Sequence, residues 1–214
     1  ENESFSYIVK YNKDLMTKCF KHKKLKDVAK NVTTGLSPGL GKAFIKTQVE
    51  IEASKLEEKL LKNLIIGGEI NRYYLNPVST KKLIYVNSDT NIEDYPNIYS
   101  ELSLFKDKLD KRVDTASGRI KWYVMLRPKT PEIFEGDKIL IRQTANRIIA
   151  SFDSEKWYCL KSGLIIQLEK NSIVSYEYLL AVLNSNLMNF IYQDLVGEGG
   201  RVFPEVKPVQ LNKL

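Results

Sequence analysis

Histidine and cysteine are nearly missing from these 214 residues: His22 is the one histidine, and Cys19 and Cys159 are the two cysteines. Imidazole does most general acid–base work near neutral pH and, with thiolate, supplies most zinc ligands. The lone His sits in the basic run Lys21-His22-Lys23-Lys24, so a histidine triad or a His-rich metal site is excluded and a solvated basic face is expected. The cysteines have no partner at metal-ligand spacing, so both read as plain thiols, with no disulfide framework and no zinc site. Long apolar runs are lacking too. No stretch approaches the ~20 residues needed to span a bilayer, and no basic-then-apolar leader opens the chain. The membrane reading therefore loses ground, secretion has no support, and the cytoplasm is the expected location. A first residue Glu1 and a last residue Leu214 without a tail signal read as a piece cut from a longer polypeptide.

What is abundant is positive charge. The net charge is +7, the pI about 9.2, and 43% of residues are hydrophobic, enough for a real core with a basic exterior. Between Arg119 and Lys161 stand nine Lys/Arg against five Asp/Glu, a difference of +4, so more than half the net charge lies in one fifth of the chain. A polyanionic partner is expected, nucleic acid first and an anionic membrane surface second.

Apolar alternation predicts strand-like pieces over 4–12 and 25–33 and a strand over 43–51. Ser54-Lys55-Leu56-Glu57 has capping-box spacing ahead of a Leu56, Leu60, Leu61, Leu64 stripe and predicts a helix near 55–64. Strands follow at 70–75 and 82–87 around the Asn76-Pro77 turn. Ile98, Leu102, Phe105 and Leu109 then mark an amphipathic helix over 97–113. Four further strands are expected at 121–126, 138–143, 147–153 and 157–168, the last broken at Ser162-Gly163. Ser175 caps a long apolar-faced helix over 176–195. Strands in clusters with helices between them argue α+β: a twisted, mostly antiparallel sheet with packed helices.

Several motifs invite an enzyme and do not deliver one. Gly35 to Lys42 looks like a phosphate loop but has one residue too many between its glycines, and Ala43 where a metal-holding hydroxyl is required. Glu57-Glu58-Lys59 has no acidic partner at the end of a nearby strand, as a metal-dependent nuclease would need. Asn76-Pro77-Val78 is not the Asn/Asp-Pro-Pro-aromatic grip of an adenine methyltransferase. Trp122, Tyr123, Trp157 and Tyr158 read as core or half-buried sheet residues. Guanidinium and ammonium groups on strand ends and loops fit phosphate, and guanidinium also fits guanine, while neutral amides pair with adenine. Phosphate grip is therefore expected from Arg72, Lys121, Arg127, Lys129 and Arg201, and base discrimination from Arg142, Gln143, Asn146 and Arg147.

The order of segments carries a resemblance. Val32-Thr33-Thr34-Gly35 with Gly41-Lys42-Ala43-Phe44-Ile45, then the run from Leu61 to Tyr73, then Tyr95-Pro96 opening a helix that ends near Leu109-Asp110-Lys111-Arg112, come first. Trp122-Tyr123 with Arg127-Pro128, Lys138-Ile139-Leu140-Ile141, and the run from Tyr178 to Ser185 complete the series. Over residues 25–214 this set resembles the TaqI-like C-terminal specificity domain, the target recognition domain of restriction-modification enzymes. Here Gly67-Gly68 stands where that family often has a glycine and a cation, and Leu140-Ile141-Arg142 stands where it often has a proline. The resemblance implies sequence-specific contact with double-stranded DNA by a non-catalytic module, with residues 1–24 a linker or an N-terminal extension from a longer parent. The partner domains would be an adenine-N6 methyltransferase, and a nuclease, elsewhere in the parent chain. S-adenosylmethionine and Mg²⁺ would serve those domains, with no cofactor in this fragment. Half of a Type I specificity subunit, a nuclease fragment, and a protein-interaction module using the last helix are the rivals.

Overall fold

The computed structural model of the chain describes residues 14–15, 17–19, 21–196 and 205–214. The expected strand over 4–12 lies outside them, as does Arg201. In chain order the elements are β1 (Ala29–Thr34), α1 (Gly41–Phe44), β2 (Ile45–Lys46), α2 (Gln48–Ala53), β3 (Leu61–Ile65) and β4 (Lys82–Ile84). Then come α3 (Pro96–Ser103), α4 (Lys106–Asp110), α5 (Val113–Ala116), α6 (Glu132–Glu135), β5 (Lys138–Arg142), β6 (Ala150–Asp153), β7 (Tyr158–Cys159) and β8 (Gly163–Leu168). The order closes with α7 (Tyr176–Asn184), α8 (Asn186–Val196) and α9 (Pro208–Leu211). Two four-stranded sheets result. One, β1-β8-β5-β6, is antiparallel throughout; the other, β2-β4-β3-β7, is antiparallel except for the β3–β7 pair. The fold is α+β.

The first sheet lies between two cores. Side chains alternate faces along a strand, so Leu140 of β5 and Ile165 of β8 enter one core with Leu64, Ile65, Phe134 and Tyr158. Their neighbours Ile139, Ile141, Leu164, Ile166 and Leu168 enter the other with Leu179, Leu183, Tyr192 and Leu211. All six residues of β8 are buried. A strand covered on both faces reads as a continuous apolar run, which is what Gly163-Leu-Ile-Ile-Gln-Leu168 is. The chain passes from β7 of one sheet to β8 of the other through a tight turn in which the Gly163 amide donates to Leu160 O at 2.8 Å, so the two sheets are locked at residues 160–163. Among the described residues no helix is long and apolar enough to cross a membrane.

Six expected elements differ. The alternation over 43–51 yields a strand only at Ile45–Lys46, because Thr47 and Glu50 form the capping box that starts α2: the Thr47 amide donates to Glu50 Oε2 at 2.8 Å and the Glu50 amide to Thr47 Oγ1 at 3.4 Å. The box expected at 54–57 serves elsewhere. Ser54 ends α2, and Glu57 accepts from the Asn97 and Ile98 amides at 2.8 and 3.0 Å, capping α3 instead. The helix expected near 55–64 is a 3-10 turn followed by β3. Lys55 sits at φ +48, and Leu61, Leu64 and Ile65 are buried beside β4 and β7, so tertiary pairing overrides the helical stripe.

The strand expected at 121–126 fails for a different reason. The Arg112 guanidinium donates to Trp122 O at 2.6 Å, Val124 O at 2.9 Å, Pro38 O at 3.3 Å and Leu109 O at 3.0 Å, taking the carbonyls that a ladder would need. The segment is a turn wrapped around that side chain. At 70–75 only the Ile70–Leu75 bridge forms. The helix over 97–113 is three helices, and the one over 176–195 breaks at Ser185 into α7 and α8, while Ser175 does cap it, accepting from the Tyr178 amide at 3.2 Å. The turn at Ser162-Gly163 stands as expected, and the strands expected at 138–143 and 147–153 form over 138–142 and 150–153.

Lys138 and Asp153 face each other in register on β5 and β6 with both side chains fully buried and 2.5 Å between Nζ and Oδ2. Lys138 also donates to Phe134 O, and Asp153 accepts from the Glu155 and Trp157 amides at 2.8 and 3.0 Å. Burial pushes the Asp153 carboxyl upward, against the pull of the ammonium and those amides. Removing one partner strands a buried charge, so Lys138→Met should destabilise the fold by about 3–5 kcal/mol. The double change with Asp153→Leu should cost much less. Urea unfolding followed by circular dichroism checks both; additive losses would refute the coupling.

Candidate nucleic-acid interface

β1 and β5 both run antiparallel to β8, so their C-terminal ends meet the start of β8 at one rim of the first sheet. The register fixes this: Thr34 lies opposite Leu164, Arg142 opposite Gly163, and Ile141 opposite Ala150 at the start of β6. From β1 to β6 the rim spans three strand gaps, about 15 Å at ~4.8 Å each, close to the ~12 Å width of a major groove. The loop that leaves this rim after β5 carries Gln143, Asn146 and Arg147, and Arg142 ends β5 beside it.

Arg142 ends β5. Its Nε donates to Gly67 O at 3.0 Å and its Nη2 to Gly68 O at 2.9 Å, Ile70 O at 2.7 Å and Asn71 Oδ1 at 3.3 Å. The expected base reader is thus a fork that holds the 67–71 turn against the sheet. Gly67 is needed there, since a Cβ would stand 2.8 Å from Ser162 O, whereas at Gly68 nothing lies within 4 Å. The far end of this loop is tied by Glu69, which accepts from the Ile66 amide at 2.9 Å and from the Ser79 amide and hydroxyl, both at 2.6 Å.

Gln143 follows, its backbone fixed on both sides: its amide donates to Ser162 O at 2.9 Å, and its carbonyl accepts from the Val206 amide at 2.7 Å. Asn146 is exposed, and Gln193 Nε2 donates to its carbonyl at 3.1 Å. Arg147 Nη2 donates to Asn186 Oδ1 at 3.2 Å, while its Nε is hidden from solvent without a partner. Asn146 and Arg147 line an open cavity of about 260 Å³ with Asn186, Asn189, Phe190 and Gln193. Beneath it, Asn189 Oδ1 accepts from the Ile148 amide at 2.6 Å, and Asn184 makes a two-way pair with the Ala150 amide and carbonyl, both at 3.0 Å. Asn184 and Asn189 were not foreseen. Their signal was present: asparagine is a poor helix former, yet both stand on the face of a helix that packs against the sheet.

The Arg127 region joins the same rim through the Ser37–Arg127 bridge, and Leu36–Leu160 brings the β7–β8 turn alongside. Arg127 and Arg119 take one oxygen each of Asp114, at 2.9 and 3.0 Å, and both remain about two-thirds exposed. The bond from Arg127 holds the Asp114 carboxyl below its ordinary range. Two guanidinium groups against one carboxylate leave a positive charge over. Lys129 Nζ reaches Thr33 Oγ1 at 3.0 Å. Lys161, exposed on the β7–β8 turn with its amide bonded to Leu36 O at 2.9 Å, was missed as a candidate although it precedes the Ser162-Gly163 turn signal. Lys121 stands apart, on the turn around Arg112 with its Nζ 5.7 Å from the Tyr123 ring centre. Lys138, counted in the basic segment, is buried with Asp153 and adds no surface charge. Arg72 stands on the loop that Arg142 holds, half-buried, its Nε and Nη2 hidden without a partner.

Burial pushes the Cys159 thiol up to about 12, which makes it a poor nucleophile. Gly35, part of the apparent phosphate loop, has a packing reason: a Cβ there would stand 2.3 Å from the carbonyl oxygens of Cys159 and Leu160. Among the described residues no three His, Cys, Asp or Glu side chains gather as a cation site.

Comparison with known proteins gives three findings. The model of the TaqI-like C-terminal specificity domain matches residues 62–214. The Type II methyltransferase M.MjaIV of Methanocaldococcus jannaschii is 28% identical over 202 residues, covering 86% of this chain and 63% of that protein, so the chain spans less than two thirds of its relative. Among solved structures, the Type IIL restriction-modification enzyme MmeI in complex with DNA aligns with a TM-score of 0.54 at 15% identity, over 83% of this chain and 23% of that one. The last likeness is one of fold.

The Glu69 tether makes a pH prediction. Despite burial, its bonds from Ser79, Ile66 and the neighbouring amides hold the carboxyl below its ordinary 4.5. A depressed folded pKa adds stability that is present above that value and is lost as pH falls through the lower one. Amide exchange over 66–79 should therefore quicken as pH drops below about 4.5, after correction for intrinsic exchange. Glu69→Gln should flatten that acid dependence and loosen the loop already at neutral pH; an unchanged profile in the variant rules the tether out.

Proposed function

We propose that this chain, which belongs to the TaqI-like C-terminal specificity domain family, reads a DNA duplex for a restriction-modification enzyme whose catalytic domains lie elsewhere in the parent polypeptide. The single observation that supports this best is the shared rim, where three loops fixed by sheet register present cations and amides across a groove-sized span. In this reading Arg127, Lys129, Arg147 and Lys161 meet phosphates, with Arg72 beside them, and Arg201 and Lys121 extend the grip. Gln143 and Asn146 address base edges. Phosphate contacts set position, and base edges supply the information.

The recognition unit runs from residue 25 to 214. β1 pairs with β8, and the Leu25 amide donates to Leu214 O at 2.6 Å, so both ends belong to one folded body. Adenine-N6 methylation with S-adenosylmethionine, and any Mg²⁺-dependent cleavage, are assigned to the parent's other domains in the cytoplasm, and this chain acts without a cofactor. The helices α7 and α8 are engaged with β5 and β6 through apolar contacts and the Asn184 and Asn189 bonds, which speaks against their serving as a free dimerisation face.

Selection of bound duplexes from a random pool should enrich one short sequence. On that duplex Arg127→Ala should weaken binding to all sequences alike and reduce the salt slope by about one, whereas Gln143→Ala should relax preference at one position by about 1–3 kcal/mol. A pool with no enrichment overturns the function, and equal losses on every duplex from both variants overturn the division of labour.

A further inference from the structure

The loop that Arg142 and Glu69 fasten carries two side chains with no part in the fold's cores. Tyr73 and Tyr74 are 56% and 59% exposed, adjacent in sequence, on a turn closed by the Asn71 amide to Tyr74 O at 3.0 Å and by the Ile70–Leu75 bridge. Tyr73 sits at φ +89, a left-handed conformation that is strained for a bulky side chain. Such strain persists only where the surroundings over-determine it, and it concentrates at binding and catalytic positions. Here the surroundings supply that determination: the Arg142 fork at one end, the Glu69 bonds at the other, and a bridge from Tyr73 to Ser151 of β6. The tip is therefore held rigidly beside the rim.

Arg72 precedes the rings, and among the described residues no carboxylate pairs with it. Two hidden guanidinium N–H positions without acceptors leave its charge uncompensated at the foot of the tip. A rigid pair of aromatic rings above an unpaired cation matches a duplex nucleotide, whose sugar and, for thymine, major-groove methyl group offer apolar surface and whose phosphate offers charge. Aromatic residues that served only to cover a core would not be placed on a strained, solvent-facing turn.

We propose that Tyr73 and Tyr74 form a ring platform that lies against a nucleoside of the bound duplex, with Arg72 facing the adjoining phosphate. This rests on the DNA-reading function argued above. Its chemistry is distinct from the rim's: ring contact is insensitive to salt, whereas the cations of the rim are not.

The test uses the whole chain and the duplex enriched from the random pool, with thymines replaced by photoreactive 5-iodouracil. Attachment should map to Tyr73 or Tyr74. The Tyr73→Ala/Tyr74→Ala pair should lose about tenfold or more in affinity with the salt slope unchanged, while Tyr73→Phe/Tyr74→Phe should retain both affinity and crosslinking. Both rings are exposed, so an unchanged melting temperature serves as the folding control. Arg72→Ala should lower the salt slope by about one. If the wild-type chain selects a sequence but the alanine pair binds as tightly as wild type, the platform is wrong and the DNA-reading function stands. If wild type binds no duplex, both fall, and a protein partner for the tip becomes the better account.

Discussion

A β-strand that is apolar on both faces has to be covered twice, and β8 imposes that demand on the whole molecule. Its six buried residues require one layer built from the second sheet and the helices α3–α6, and another built from α7, α8 and α9. Because β8 pairs with both β1 and β5, it also sets which ends of those strands coincide. A slip of one residue would exchange the two cores' side chains, so register here is strongly specified. The position of every loop at the rim descends from that register, not from any attraction between the loops.

Having been brought together, the rim loops are held by polar side chains that take backbone groups. Arg142 binds three carbonyls of the 67–71 loop, Asn184 treats Ala150 as a neighbouring strand would, and Asn189 takes the Ile148 amide. This satisfies Ala150 at the edge of β6 and the Ile148 amide before it without a further strand, where an open ladder would invite pairing with another chain. In the proposed reading it also means that many residues of the surface hold its loops and leave contact to their neighbours. A reading surface is useful when its contacting groups need no ordering on binding, and that order comes from neighbours with their own donors committed.

How far the sequence disclosed this follows from which forces act locally. β5 and β8 were legible because strands covered on both faces are apolar throughout, and the turn at Ser162-Gly163 because glycine there is demanded by the approach of Cys159 Sγ to 3.1 Å from a would-be Cβ. The helix expected near 55–64 was misread because Leu56, Leu61 and Leu64 do share a core, but as a turn and a strand; spacing alone cannot distinguish those routes to one burial site. The strand expected at 121–126 was undone by Arg112, a residue ten positions away whose guanidinium has no signature in a hydropathy pattern. The loop that carries Gln143, Asn146 and Arg147 was legible because turns between apolar strands are visible. The scaffold role of Arg142 was not, since it depends on a partner loop some 70 positions earlier.

Charge has to be counted by place and not by number. Of the cations between Arg119 and Lys161, Lys138 is neutralised inside the protein, and Arg119 and Arg127 share Asp114. The field at the rim is therefore weaker than the composition implies, and Lys161, Lys129 and Arg147 carry a larger share of it. A modest cation count suits a reader: each phosphate contact strengthens binding to every sequence equally, so affinity gained from charge adds nothing to discrimination. Amides behave in the opposite way. Gln143 and Asn146 attract little at a distance, but each offers a donor and an acceptor whose loss or gain against a given base edge differs between sequences. In the proposed reading, a rim that restrains its charge and fixes the backbones carrying its amides would be selective first and adhesive second.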